Sequence, residues 1–216
     1  MHFEILVEDL SGKVTLDILM PKIIGKQHTY RVISYRGIGH IPKDLKSHTD
    51  IRNRILLDRL PELFKGYGKT FSNNPAKYST VLVIVCDLDN KCLKFFRQKL
   101  FNLLNECKPE IETRFCIAVE EGEAWLLGDL SAIKEAYPKA LYNVLHRYQN
   151  DSICDTWERL ADAIYPGGSK VLVKQHYSVI GKAKSTWAET ITPHMNVEIN
   201  KSPSFCYFRD KIRELI

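Results

Sequence analysis

No two cysteines of this 216-residue chain stand at the C-x-x-C spacing, and neither an H-E-x-x-H nor a His pair beside a cysteine pair occurs. Zinc ribbons, zincin-type metalloprotease sites and thioredoxin-like redox sites are excluded on spacing. The six cysteines (Cys86, Cys92, Cys107, Cys116, Cys154, Cys206) are scattered, and Cys86 and Cys116 fall inside apolar runs where a small core residue is the simplest reading. No apolar run approaches the roughly 18 to 20 residues that span a bilayer. The N-terminus carries Glu4, Glu8 and Asp9 where a secretion signal needs basic and then apolar residues, so a cytoplasmic protein with no membrane partner is expected. Internal repeats, low-complexity tracts and a clear linker are missing as well. With 44% hydrophobic residues the chain suffices for one well-buried unit.

What the chain does have is acid at the ends of apolar runs. Val81-Leu82-Val83-Ile84-Val85-Cys86 leads into Asp87-Leu88-Asp89-Asn90; Phe3-Glu4-Ile5-Leu6-Val7 leads into Glu8 and Asp9; and Phe115-Cys116-Ile117-Ala118-Val119 leads into Glu120, Glu121 and Glu123. Open α/β sheets keep their chemistry at the C-terminal ends of their strands. An acid in that position also commonly caps the following helix, which explains any one of the three edges alone. Three together point to a divalent cation, because Mg²⁺ or Mn²⁺ takes hard oxygen ligands of this kind. Strand alternation puts Asp87 and Asp89 on one side with Leu88 on the other, and two carboxylates so close repel unless a cation or proton lies between them.

Hydrophobic periodicity predicts strands near 2–8, 28–34, 80–86 and 112–119, with helices at about 14–24, 52–64 and 91–107 between them. That alternation is the βαβ signature of a mostly parallel, four-stranded Rossmann-like sheet flanked by helices. After Ala124 helical patterns take over, at about 133–136, 140–148, 156–164, 182–191 and 205–216. Turn residues mark loops at 71–75 and 166–169. The expected organisation is one domain over 1–216, with a core to about residue 130 and a helical extension over about 131–216.

The formal net charge of +5 is modest, but it is unevenly placed. Stretch 36–69 holds eight basic residues (Arg36, Lys43, Lys46, Arg52, Arg54, Arg59, Lys65, Lys69) against four acidic ones (Asp44, Asp50, Asp58, Glu62). Stretch 167–187 carries Lys170, Lys174, Lys182 and Lys184 without a single acid, and His176, Tyr177 and Trp187 lie among them. Both have the composition of a phosphate-backbone contact and, equally, of a solvated surface.

The order Glu8, then Asp87-Leu88-Asp89, resembles the Toprim domain of topoisomerases, primases, recombination proteins and the overcoming-lysogenization-defect nucleases. With Ile117-Ala118-Val119-Glu120-Glu121-Gly122-Glu123-Ala124-Trp125-Leu126-Leu127-Gly128-Asp129 and Asn200-Lys201-Ser202-Pro203-Ser204-Phe205 added, the chain is similar to a small bacterial Toprim-like family over most of its length. One departure is Asp9, where such domains usually carry Gly. The resemblance implies a metal-dependent nuclease, a phosphodiester hydrolase acting on DNA or RNA. Glu8 would be general acid/base or a further metal ligand, and Asp87 and Asp89 would hold Mg²⁺ or Mn²⁺. Glu120, Glu121 or Glu123 would complete a second metal position, with Glu123 preferred, and Trp125 would anchor the core. Ser204 is expected to cap the last helix. The resemblance also implies an ABC-type ATPase partner and antiviral defence, and it leaves a non-catalytic scaffold as the alternative. A response-regulator receiver and a haloacid-dehalogenase-like phosphatase fit less well. The first needs a shorter span than that from Asp9 to Asp87, and the second normally opens on the Asp-x-Asp motif.

Overall fold

A computed structural model describes residues 1–42, 52, 54–72, 79–109, 111–152 and 155–216. Lys43, Asp44, Lys46, Asp50, Cys154 and positions 73–75 of the expected loop lie outside the described residues. Strands β1 (His2–Val7), β2 (Thr29–Ser34), β3 (Thr80–Asp87) and β4 (Glu112–Ala118) form an all-parallel sheet in the order β2-β1-β3-β4. This is the expected α/β, Rossmann-like arrangement. Period-two alternation splits the core into two layers. Phe3, Ile5, Val7, Val81, Val83, Val85, Cys116 and Ala118 face one side, and Leu6, Leu82, Ile84, Cys86, Phe115 and Ile117 the other.

Helices α1 (Leu10–Ile24), α2 (Leu60–Ser72) and α3 (Leu93–Cys107) connect the strands, with α1 on the first layer and α2 and α3 on the second. Parallel connections demand this, because right-handed crossovers that leave in opposite directions put their helices on opposite faces. Helix α2 starts eight residues later than the periodicity suggests and runs through Ser72, where a loop was expected. Pro61 is the reason: it lacks an N–H and is tolerated in a first turn but not in a helix interior. In α1, Pro21 leaves the carbonyl of Asp17 without its usual amide, and the Tyr30 hydroxyl from β2 donates to that oxygen at 2.8 Å. Across the β1–β2 pair Glu4, fully buried, is held by its register partner Arg31 through Nε at 2.9 and 3.0 Å, and by the Tyr67 hydroxyl at 3.0 Å.

The remaining helices are α4 (Glu123–Leu127), α5 (Leu130–Ala136), α6 (Tyr142–Leu145), α7 (Thr156–Ile164), α8 (Gly168–Leu172), α9 (Tyr177–Ile191) and α10 (Pro203–Arg213). They cover the first layer, so the helical extension is built onto the sheet and not beside it. The segments 117–129 and 200–205 interlock here. Trp125 is buried, stacks on Phe208 with ring centres 5.0 Å apart, and donates from Nε1 to Ser204 Oγ at 3.0 Å. Asn200 donates from Nδ2 to the Trp125 carbonyl at 2.8 Å and accepts from the Ser202 amide at 2.9 Å. The cap of α10 is Ser202, not Ser204: its Oγ accepts from the Phe205 amide at 3.3 Å, with Pro203 in the first turn. Ser204 is thereby freed to hold Trp125.

Gly128 lies where this lock closes, and a Cβ there would stand 2.0 Å from Asn200 Oδ1 and 2.9 Å from the Ser202 amide. Gly128→Ala should therefore cost about 1–3 kcal/mol by overpacking. Gly66→Ala, in α2 where an added Cβ meets nothing within 4 Å, should gain about 0.5–1 kcal/mol through helix propensity. Chemical denaturation of both variants checks the pair, and equal midpoints would refute the lock.

Candidate functional site

In the order β2-β1-β3-β4 the chain leaves β1 toward β2 and leaves β3 toward β4, so the crossovers diverge between the adjacent ends of β1 and β3. Such a switch point opens a crevice at the strands' C-terminal ends. The register puts Val7 level with Val85. Glu8 and Asp87 therefore emerge side by side, and the Asp87 amide donates to Glu8 Oε2 at 3.1 Å. The crevice between them is lined by Glu8, Asp9, Gly12, Asp87, Glu123 and Trp125. Its free volume of about 30 Å³ is far below the roughly 300–1,000 Å³ of a small-molecule pocket.

Asp9 starts α1. Its carboxylate accepts from the Gly12 amide at 2.7 Å and the Ser11 hydroxyl at 2.6 Å, an N-cap. The helix begins so close to the strand that a Cβ on residue 12 would lie 2.6 Å from Val7 Cγ2, which is why Gly stands there. Beyond the strand end the Glu8 carbonyl accepts from the Gly37 amide at 2.8 Å, so the segment after β2 closes one wall.

The other acidic edge brings in Lys184 of α9. Its ammonium lies 3.0 Å from Glu123 Oε2 and 3.3 Å from Glu121 Oε2, with only 15% of the side chain exposed. The Glu123 contact is ionic and lacks hydrogen-bond geometry, so Oε2 of this buried carboxylate has no directed donor. Burial alone would lower the pKa of Lys184; Glu123, Glu121 and Asp87 outweigh it and hold the ammonium well above its ordinary value. Lys184 therefore belongs to the acidic centre and not to an outer basic surface. Sequence reading places it in a lysine-rich stretch because the long-range fold, which no spacing encodes, delivers it there.

Two expected ligands are placed elsewhere. Asp89 is outside β3, at a left-handed backbone (φ 51°), and its carboxylate pairs with Lys91. Alternation carries through Leu88, which stays in the layer of Cys86 and whose amide still bonds the Ala118 carbonyl, and fails at Asp89, whose amide turns to the Glu120 carbonyl. Glu120 accepts from the amides of Asp155 and Thr156 at 2.6 and 2.9 Å, and so caps α7 from a distance. Among the described residues no three His, Cys, Asp or Glu side chains are grouped as a ready metal cage. Lys170, Lys174 and Lys182 are exposed, on α8, α9 and the turn between them.

No family model, curated protein or solved structure matches this chain. The chemistry of the crevice has to be read from its own groups.

Burial raises Glu8 from the ordinary 4.5 to about 7, and Asp9 and Asp89 add to the rise against the Asp87 amide and Lys184, which oppose it. Asp87 is pushed well above its usual range by burial and by Glu8. Glu121 is likewise raised to about 7, by burial first, against the pull of Lys184. Four carboxylates thus share one ammonium. Glu8 and Asp87 fit a hard divalent cation in donor type, since both offer only oxygen and each disfavours the other's charge.

A group whose proton affinity rises on folding stabilises the fold at low pH and loses that contribution as pH rises through its folded value. For Glu8 the window runs from 4.5 to about 7. Glu8→Gln should melt higher than the parent protein at about pH 8, with the difference vanishing near pH 4. Mn²⁺ added at the higher pH should raise the melting temperature of the parent and not of Glu8→Gln or Asp87→Asn. Lys184→Met removes the ammonium that Glu121 and Glu123 face and should cost about 3–5 kcal/mol near neutral pH, less in acid where Glu121 is neutral. A flat pH response of these differences in calorimetry would contradict the assignments.

Proposed function

We propose that the protein is a Toprim-like, metal-dependent phosphodiester hydrolase, a nuclease or nuclease-like subunit. The observation that carries this reading is Glu8 beside Asp87 at the switch point, with Glu8 raised to about 7. A carboxyl near the working pH is suited to general acid/base catalysis, because both its forms are populated. Glu8 takes or returns the proton of the attacking or leaving oxygen, and Asp87 fixes it through its own backbone N–H. Asp87 would hold a divalent cation, Mg²⁺ or Mn²⁺, which supplies charge neutralisation at a phosphate when bound, with Glu8 as a further ligand in place of its acid/base role. Lys184 balances Glu121 and Glu123 so that the crevice is not closed to a polyanion. Asp89 stands one turn outside, released from Lys91 only if that pair opens.

A second reading is favoured by the same lysine. An ammonium set among the acids is an internal counter-ion, and a protein that needs no metal for balance suits a non-catalytic scaffold of an ABC-type ATPase complex. The resemblance that suggests this partner also suggests a role in antiviral defence in the cytoplasm. Among the described residues no helix is long and apolar enough to cross a membrane.

Labelled DNA and RNA incubated with the protein and Mg²⁺ or Mn²⁺, with and without the ATPase, separate the two. The hydrolase reading expects cleavage that EDTA stops. It expects Glu8→Gln and Asp87→Asn to lower the rate about a hundredfold or more while circular dichroism stays unchanged. Tight ATPase binding with no cleavage in any of these conditions would establish the scaffold instead.

A further inference from the structure

Helix α9 carries more than Lys184. Residues seven apart on a helix fall on one stripe about 10 Å apart, so Tyr177 lies on the stripe of Lys184 and Ala188, the first turn against the fourth. Ala188 is buried and Lys184 nearly so, whereas Tyr177 extends past the protein body with 78% of its surface exposed. An exposed tyrosine alone means little. Here, however, the His176 ring lies against it, with ring centres 4.3 Å apart at 43°. His176 is not loose: as N-cap of α9 its Nδ1 accepts from the Ser178 amide at 3.3 Å and meets the Ser178 hydroxyl at 2.8 Å. The cap sets the imidazole, and the imidazole restricts the phenol ring, so ordering this pair on a ligand costs little further entropy.

The stretch that carries the pair has charge of one sign. Lys170, Lys174 and Lys182 are all exposed, and no acid occurs from Gly167 to Trp187. Exposed cations flanking a fixed aromatic pair match a polyanion that carries its own flat rings. Lysines without an aromatic would suit any phosphate backbone, and duplex would serve as well as single strand. Bases inside a duplex cannot reach a side-chain ring; unpaired ones can stack on it. The separation of Tyr177 from Lys184, about 10 Å, is about the rise of three stacked bases at 3.4 Å each.

We infer that the substrate is single-stranded nucleic acid, with one unpaired base stacked on the Tyr177–His176 pair, the backbone held there by the exposed Lys174 and Lys182, and the strand continuing toward the Glu8–Asp87 crevice. This rests on the hydrolase reading for where the strand leads, but binding is measured apart from cutting. Fluorescein-labelled oligonucleotides, DNA and RNA, single-stranded and duplex, are titrated by anisotropy in EDTA with the full chain. Single strands should bind more tightly than duplexes. Tyr177→Ala should weaken single-strand binding about tenfold or more, and Tyr177→Phe, which keeps the ring, should restore it. Lys174→Ala and Lys182→Ala should each reduce the salt dependence by about one ion.

Equal binding of single strand and duplex, or a Tyr177→Ala variant that binds single strands as the parent does, overturns the inference. So does preferential, Tyr177-dependent binding to vesicles of anionic phospholipid, which would make the exposed Val171, Val173 and Tyr177 a membrane-surface patch. Tyr177-dependent single-strand binding without cleavage would uphold the inference and sink the hydrolase. Cleavage that is indifferent to Tyr177 would do the reverse.

Discussion

Four carboxylates around one ammonium is the condition on which the site depends, and the parallel sheet enforces it. Parallel strands end at the same edge, so acids following β1, β3 and β4 are delivered to one side of the sheet, where Glu8, Asp87, Glu121 and Glu123 meet. The Asp87 amide on Glu8 fixes the closest pair at 3.1 Å. Neither residue can move off without abandoning the strand end that positions it. Charge of this kind has three remedies: a proton, a fixed cation or a mobile one. Raised Glu8 and Asp87 supply the first, Lys184 the second, and a divalent ion would supply the third.

The helical half that carries Lys184 is held over the sheet by packing on the first core layer. Helix α9 packs on α1 and on α4, and α1 is in turn tied to the far end of α9 by Lys22, whose ammonium donates to the carbonyls of Thr192, Pro193 and Met195 at 3.2, 2.7 and 2.9 Å. The segment that starts α4 with Glu123 is locked to α10 through Trp125, Ser204 and Asn200. Residues 123–128 and 200–205 are therefore distinctive in sequence for a packing reason. They hold the floor of the crevice at a fixed depth, and Glu123 is the one member that also bears charge inside it.

Strands β1 and β3 were legible because the centre of the sheet is buried on both faces and these strands are apolar runs bounded by polar residues, as at Val81 to Asp87. The convergence of Glu8 with Asp87 followed from that alone. Asp89 was misplaced because a period of two holds only while the ladder continues, and the turn bond that ends it, from the Asp89 amide to the Glu120 carbonyl, leaves no mark in the residues themselves. Helix α4 was invisible to periodicity because all five of its residues are buried and no polar face exists. In α2 the cue was present in Pro61, which outranks the apolar spacing before it. What no local pattern holds is a contact between distant segments, and Lys184 with Glu123 and Glu120 with the start of α7 are both of that type.

Asp9 shows how one residue can serve the fold and the crevice at once. As a helix cap its two oxygens are engaged by Gly12 and Ser11, and Gly in its place would cost the helix only a few tenths of a kcal/mol. Capping alone therefore gives weak reason for a carboxylate at this position. Its charge, however, raises the proton affinity of both Glu8 and Asp87. A third negative group beside that pair favours the protonated form of Glu8 at neutral pH and strengthens the attraction for any cation that displaces the proton. Asp9 thus shifts the crevice toward holding either a proton or a cation, and away from the doubly ionised state.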